Sequence, residues 1–190
     1  MRRLGRLLLW LSVLTLGWLT AAVHAAENVV ILKVGHTRLS SPAQSVLGVP
    51  VRFDPSSNGV LSVEYERRFA GGMAVGGEFI GYGHDYYAGG LVGKANARLL
   101  FANLKRYLGG TMLHPFVGGG LGAVSLDMSG PINGTGGDVA LQLMAGAELQ
   151  LGAWGVEVEL KHIAARPEDV NHQTIDVSAD SVWVGASFHF

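Results

Sequence analysis

The chain has 190 residues, 48% of them hydrophobic and only 15% charged, with a formal net charge of −1 and no cysteine. That length suits a single domain, the charge excludes a basic nucleic-acid surface, and the missing cysteines exclude a disulfide frame or a thiolate site. The apolar residues are dispersed: beyond residue 20 no run is long enough for a membrane helix, and apolar character spread in alternation fits a transmembrane β-barrel.

Residues 1–25 read as a cleaved secretory signal peptide. Arg2, Arg3 and Arg6 form the positive start, Leu7–Leu19 the apolar stretch, and Val23-His24-Ala25 the small-residue cleavage site. Losing those three arginines would take the net charge from −1 to −4 and leave one domain over 26–190. Glu27–Thr37 is the first expected strand, although its Val29-Val30-Ile31-Leu32 run leaves the facing ambiguous. Arg38–Ser57 holds Pro42, Pro50 and Pro55 and is expected to be a loop. Val60–Phe69 sets Leu61, Val63 and Tyr65 on one face against Ser62, Glu64 and Glu66 on the other. Ala70-Gly71-Gly72 turns the chain into Met73–Tyr82, with Met73, Val75 and Phe79 outward and Glu78 inward.

Gly83–Leu91 is expected to be a loop carrying aromatics. Val92–Leu104 sets Ala95, Ala97, Leu99 and Phe101 against Lys94, Asn96 and Arg98, and Lys105–Leu113 is a short connection. Pro115–Leu126 is glycine-rich, as close backbone approach in a narrow barrel wall requires. Asp127–Gly137, with Pro131 and Asn133-Gly134, is a loop. Asp138–Leu151 alternates apolar residues from Val139 to Leu151 with a second set that includes Gln142 and Glu148. After a turn at Gly152–Gly155, Gly155–Ala164 opposes Val156, Val158, Leu160 and His162 to Glu157, Glu159 and Lys161. Ala165–Ser178 is a polar loop. The final strand puts Val182, Val184, Ala186, Phe188 and Phe190 on one side and Ser181, Trp183, Gly185, Ser187 and His189 on the other.

The expected architecture is all-β: an eight-stranded antiparallel up-and-down transmembrane β-barrel. Its connections alternate long and short, the asymmetry of barrels with long outer loops and short periplasmic turns. The apolar faces would meet lipid. Glu64, Glu66, Glu78, Glu148, Glu157 and Glu159 would meet Lys94, Arg98 and Lys161 in the lumen, with Lys94 and Arg98 bridging several carboxylates, because unpaired charge is costly there. An eight-stranded barrel is just wide enough for its own side chains, so a wide pore is not expected.

Three stretches carry a family resemblance: His114-Pro115-Phe116-Val117-Gly118-Gly119-Gly120-Leu121-Gly122, Gly155-Val156-Glu157-Val158-Glu159-Leu160, and Val182–Phe190. With them the chain resembles the small eight-stranded outer-membrane barrels of the OmpA transmembrane-domain, OmpX and OmpW types. The resemblance implies an outer-membrane location in a Gram-negative envelope and contact with membrane lipid and lipopolysaccharide. It also implies a C-terminal signal, Phe188 and Phe190, for the barrel-assembly machinery. The function expected is structural or surface-interacting, monomeric, non-enzymatic and free of cofactors or metal.

The outer-membrane lipid A deacylases of PagL type are a second resemblance, with a His-x-Ser signature in the seventh strand. Here the stretch reads His162-Ile163-Ala164, so only His162 carries over, and Ala164 has no hydroxyl to attack an ester. A carrier for small hydrophobic molecules is the remaining alternative. His36, His84 and His162 fall toward the outer rim, where with Asp85 they could hold a metal, though their spacing has no metal signature. His114 and His172 also lie near strand ends, and Tyr82, Tyr86 and Tyr87 are expected to form an aromatic girdle.

Overall fold

The computed structural model describes residues 26–46, 48–54, 59–169 and 175–190; the expected leader over 1–25 and His172 lie outside the described residues. The strands are β1 (Glu27–Leu39), β2 (Ala43–Val46), β3 (Val49–Phe53), β4 (Val60–Arg68), β5 (Met73–Ala88), β6 (Leu91–Tyr107), β7 (Leu113–Ser129), β8 (Gly134–Leu151), β9 (Trp154–Ala165), β10 (Glu168–Asp169) and β11 (Ala179–His189). Hydrogen-bonded neighbours run β2-β3-β5-β4-β1-β11-β9-β8-β7-β6, and β6 pairs back onto β5, which closes a cylinder. Its eight staves are β1, β4, β5, β6, β7, β8, β9 and β11, all antiparallel. The two ends of the described chain meet at one end of the barrel, where Asn28 N donates to Phe190 O at 3.0 Å and Phe190 N to Asn28 O at 2.9 Å.

Several staves are longer than alternation suggested. Gly83–Leu91 is not a loop: β5 and β6 continue to a two-residue turn at Gly89-Gly90, whose φ values of 57° and 83° suit a tight hairpin that favours glycine. Lys105 and Tyr107 belong to β6, and Asp127–Ser129 to β7. The expected first loop contains the hairpin β2–β3, which stands on the outer half of β5 through Val51↔Ala88 and Phe53↔Tyr86. Pro50 does not prevent this, because it faces Ser45 of β2 alone, an edge position where a missing N–H is tolerated.

The cylinder is built in two tiers. Around the terminus-bearing half, apolar side chains face outward: Leu32, Val34, Leu61, Leu100, Leu104, Leu143, Val158, Leu160 and Val184 are each about half exposed or more. Tyr65, Trp154, Phe188 and Phe190 lie on this outer face, with the Trp154 and Phe188 rings 4.8 Å apart. In the other half the faces exchange roles. Leu39, Val51, Phe53, Ile80, Tyr86, Leu99, Leu126, Ile132 and Ile175 form a buried core inside, while Lys94, Asn96 and Arg98 point outward. β5 to β8 have 16 to 18 residues each, whereas crossing the hydrocarbon takes roughly 9–11. Their outer thirds therefore stand in water and follow the inside-apolar rule of a soluble protein.

Close approach of the staves demands glycine at few but definite places. A Cβ on Gly146 would run into the carbonyl oxygen of Val158 and come within 2.6 Å of Phe116 Cζ. Gly146→Leu is expected to cost at least about 1–3 kcal/mol by overpacking, read as a lower urea midpoint. Gly81→Ala, with no atom within 4 Å of the added carbon, is expected to leave the midpoint unchanged.

Candidate functional site

Strand alternation delivers the ionisable side chains to the lumen of the lower tier. On β4 and β9 every second residue is polar, so Glu64, Glu66, Glu157, Glu159 and Lys161 project inward and are buried. Glu78 on β5 and Glu148 on β8 join them. Lys33 stands at the centre of the network: its Nζ is 2.6 Å from Glu64, 2.9 Å from Glu78 and 3.3 Å from Glu159. Lys105 Nζ lies 2.8 Å from Glu64 and 2.6 Å from Glu66. Lys161 Nζ lies 2.6 Å from Glu78 and 2.9 Å from Glu159. At the terminus-bearing end Arg68 Nε meets Glu66 at 3.0 Å, and its Nη1 meets Glu148.

Neutral side chains add hydrogen bonds to four of the carboxylates, Glu64, Glu66, Glu78 and Glu148. Asn103 Nδ2 donates to Glu64 at 2.8 Å, Gln142 Nε2 to Glu78 at 3.0 Å, Ser62 Oγ to Glu78 at 2.7 Å and Tyr107 Oη to Glu66 at 2.9 Å. Ser187 Oγ donates to Glu148. Those four, with Glu159, thus sit in a dense lattice of charge-assisted bonds, the arrangement that makes ionised groups tolerable away from water. Trp183 caps the lattice at the tier boundary, its Nε1 donating to Ser181 Oγ at 2.8 Å, with Lys161 Nζ 5.3 Å from the ring centroid.

Two of the expected lumen cations are elsewhere. Lys94 and Arg98 point outward, and Arg98 Nη1 is 3.7 Å from Asp127 on the exposed wall. They lie on the part of β6 beyond the belt, where the polar face is the outer one, so Ala95, Ala97, Leu99 and Phe101 turn inward instead. Lys161 stands in the lumen as expected, and the other cations there are Lys33, Arg68 and Lys105, outside the expected set. Lys33 was legible in principle, because Leu32 and Val34 flank it with the lipid-facing phase.

The upper tier is closed by its own loops. Tyr86 Oη donates to Ile132 O at 2.6 Å and accepts from Ile132 N at 3.0 Å, fixing the β7–β8 turn over the mouth. Gln44 brackets the backbone of Asp176, donating to its oxygen at 3.0 Å and accepting from its nitrogen at 2.9 Å. Burial works to raise the Asp176 carboxyl, but hydrogen bonds from Ser178 and Ser41, with Arg166 beside it, hold it below the usual aspartate range. Tyr82 and Tyr86 belong to this core and not to a girdle; Tyr87 alone of the three faces out. The interior opening near Ile132 and Ile175 measures about 10 Å³, room for no more than a water.

The histidines do not converge. His84 is buried in the upper core against Tyr82, while His36 and His162 lie on the outer wall. His162 Nδ1 is 2.7 Å from Asp180, and Ala164 follows on the same outward face. A groove of about 550 Å³ runs along this wall between His36, Arg38, Leu143, Leu160, His162 and Val182. Among the described residues, one trio has carboxylate oxygens close enough to share a metal: Glu64, Glu157 and Glu159, within 4.8 Å of one another. Lys33 and Lys105 already stand between these groups and supply the countercharge there.

No protein-family model matches the sequence, and no curated protein matches it either. Solved structures do. OprG from Pseudomonas aeruginosa is similar at a TM-score of 0.68 and 14% identity, over 87% of this chain and 96% of that one. The neisserial surface protein NspA is similar at 0.61 and 14%, over 88% and 100%. Ail, the attachment invasion locus protein of Yersinia pestis, is similar at 0.56 and 13%, over 87% and 99%. The fold is that of the small eight-stranded outer-membrane β-barrels. Its apolar belt around a polar lumen is the surface of a membrane-spanning barrel.

Proposed function

We propose that this protein is a non-enzymatic integral barrel with a structural or surface-contact role in the cell envelope, closed to solutes. The observation that carries this reading is the filling of the lumen: a lattice of salt bridges through the membrane tier and an apolar core above it. In this reading residues 1–25 are a signal peptide, Phe188 and Phe190 are read by the assembly machinery, and the monomeric barrel meets lipid and lipopolysaccharide through its wall. Purified protein in a planar lipid bilayer is expected to give no steady conductance. A stable ohmic current, scaling with the number of inserted barrels, would overturn the closed-barrel reading.

A lipid A hydrolase is the second reading, favoured by the His162–Asp180 pair at the edge of the lipid-facing wall. Ala164 speaks against it, since the position two residues on offers no nucleophile. Incubation with lipopolysaccharide separates the two. Fatty-acid release that vanishes in His162→Ala would establish the hydrolase.

A further inference from the structure

The lumen holds more carboxylates than cations. Among the described residues six buried glutamates (Glu64, Glu66, Glu78, Glu148, Glu157, Glu159) face four fixed cations (Lys33, Arg68, Lys105, Lys161), an excess of two negative charges. His189 lies 2.9 Å from Glu148 and 3.1 Å from Glu27.

The surplus has a location. Glu157 is fully buried, and neither of its carboxyl oxygens has a hydrogen-bond partner. Its closest ion-pair contact, Lys33 Nζ at 3.8 Å, is beyond hydrogen-bonding reach and is bound more closely to Glu64, Glu78 and Glu159. By contrast Glu64, Glu66 and Glu78 each have an ammonium at 2.6 Å, and Glu159 has one at 2.9 Å. Around Glu157 the carboxylates crowd. Glu148 of β8 is its cross-strand partner, and a Glu157 oxygen lies within 4.8 Å of an oxygen on each of Glu64 and Glu159. The cations facing it are Lys33 of β1 and Lys105 of β6; β11 presents Gly185 opposite it.

We propose that Glu157 is a proton-binding site: the lumen takes up one proton from water at neutral pH and holds it on this carboxyl, facing Glu64 and Glu159. Carboxylates forced together relieve their repulsion by keeping a proton, and a carboxyl without donors around it gains least from ionising. A metal cation is the poorer occupant, because Lys33 and Lys105 would repel it, whereas a proton needs no ligand shell. The bound proton lowers the lattice's excess of negative charge from two to one.

The test is the infrared spectrum of the purified barrel in a detergent without ester groups at neutral pH. A protonated carboxyl has a C=O stretch clear of the ionised carboxylates. The expected result is one such band, lost in Glu157→Gln and kept in Glu27→Gln. A wild-type spectrum without the band overturns the proposal, and so does a band that survives Glu157→Gln. Stability supplies a second readout. Glutamine is a neutral isostere, so Glu157→Gln should keep the wild-type urea midpoint, while Glu64→Gln, which strips an ionised partner from Lys33 and Lys105, should lower it. A Glu157→Gln barrel that fails to fold, or loses as much as Glu64→Gln, counts against a neutral Glu157.

Discussion

Lys33→Ala is expected to be the most damaging single change in the lumen. The ammonium is wholly buried and lies within 3.3 Å of Glu64, Glu78 and Glu159. Removing it strips three carboxylates of a countercharge in a place water does not reach. Breaking a buried ion pair from one side costs about 3–5 kcal/mol, a large part of the roughly 5–15 kcal/mol that holds a typical domain together. The variant should therefore lose the compact, heat-modifiable form on a detergent gel, or unfold at a far lower urea concentration. Arg98→Ala is the matched control. Its side chain is 66% exposed, and its partner Asp127 is 3.7 Å away on the outer wall, a kind of pair worth about 0–1 kcal/mol. Equal losses in the two variants would mean that the lattice around Lys33 is not what holds the lumen together.

The contrast between Lys33 and Arg98 also shows where sequence reading succeeds. In Val156–Lys161 and Val182–Phe190 the phase is clean, and the inward residues Glu157, Glu159, Lys161 and Trp183 can be read directly. The same logic misplaces Lys94 and Arg98. Alternation says which residues share a face, but not which face is inside, and that choice depends on whether a given stretch lies in lipid or in water. β6 crosses the boundary: Lys105 and Asn103 are inward below it, and Lys94 and Arg98 outward above it, without any break in the period of two. β1 fails for a different reason. Val29 and Ile31 face inward and Val30 and Leu32 outward, all apolar, so that run carries no phase until Lys33 is reached. The hairpin β2–β3 is hidden by Pro42 and Pro50, because its stability comes from docking on β5 and not from its own sequence.

The outward wall gives the complementary expectation. Val158 is 50% exposed in the middle of the apolar column from Trp154 to Leu160 on β9, between Val184 of β11 and Ala147 of β8. An arginine at the hydrocarbon midplane of a barrel costs about 2–4 kcal/mol, and close to an interface only about 0–1 kcal/mol. Val158→Arg should therefore lower the unfolding free energy from phospholipid vesicles by the larger amount. On the same outward face, beyond His162, Ala164→Arg should lower it by the smaller one. Were this wall bathed in water, an arginine at either position would sit on an open surface, where substitutions change stability by no more than about 0.5 kcal/mol. The measurement is the difference between the two positions, because both substitutions add the same side chain to the same strand. A gradient along β9 requires a low-dielectric slab outside the cylinder at Val158 that has ended by Ala164, and equal small effects would remove the membrane from the explanation of that wall.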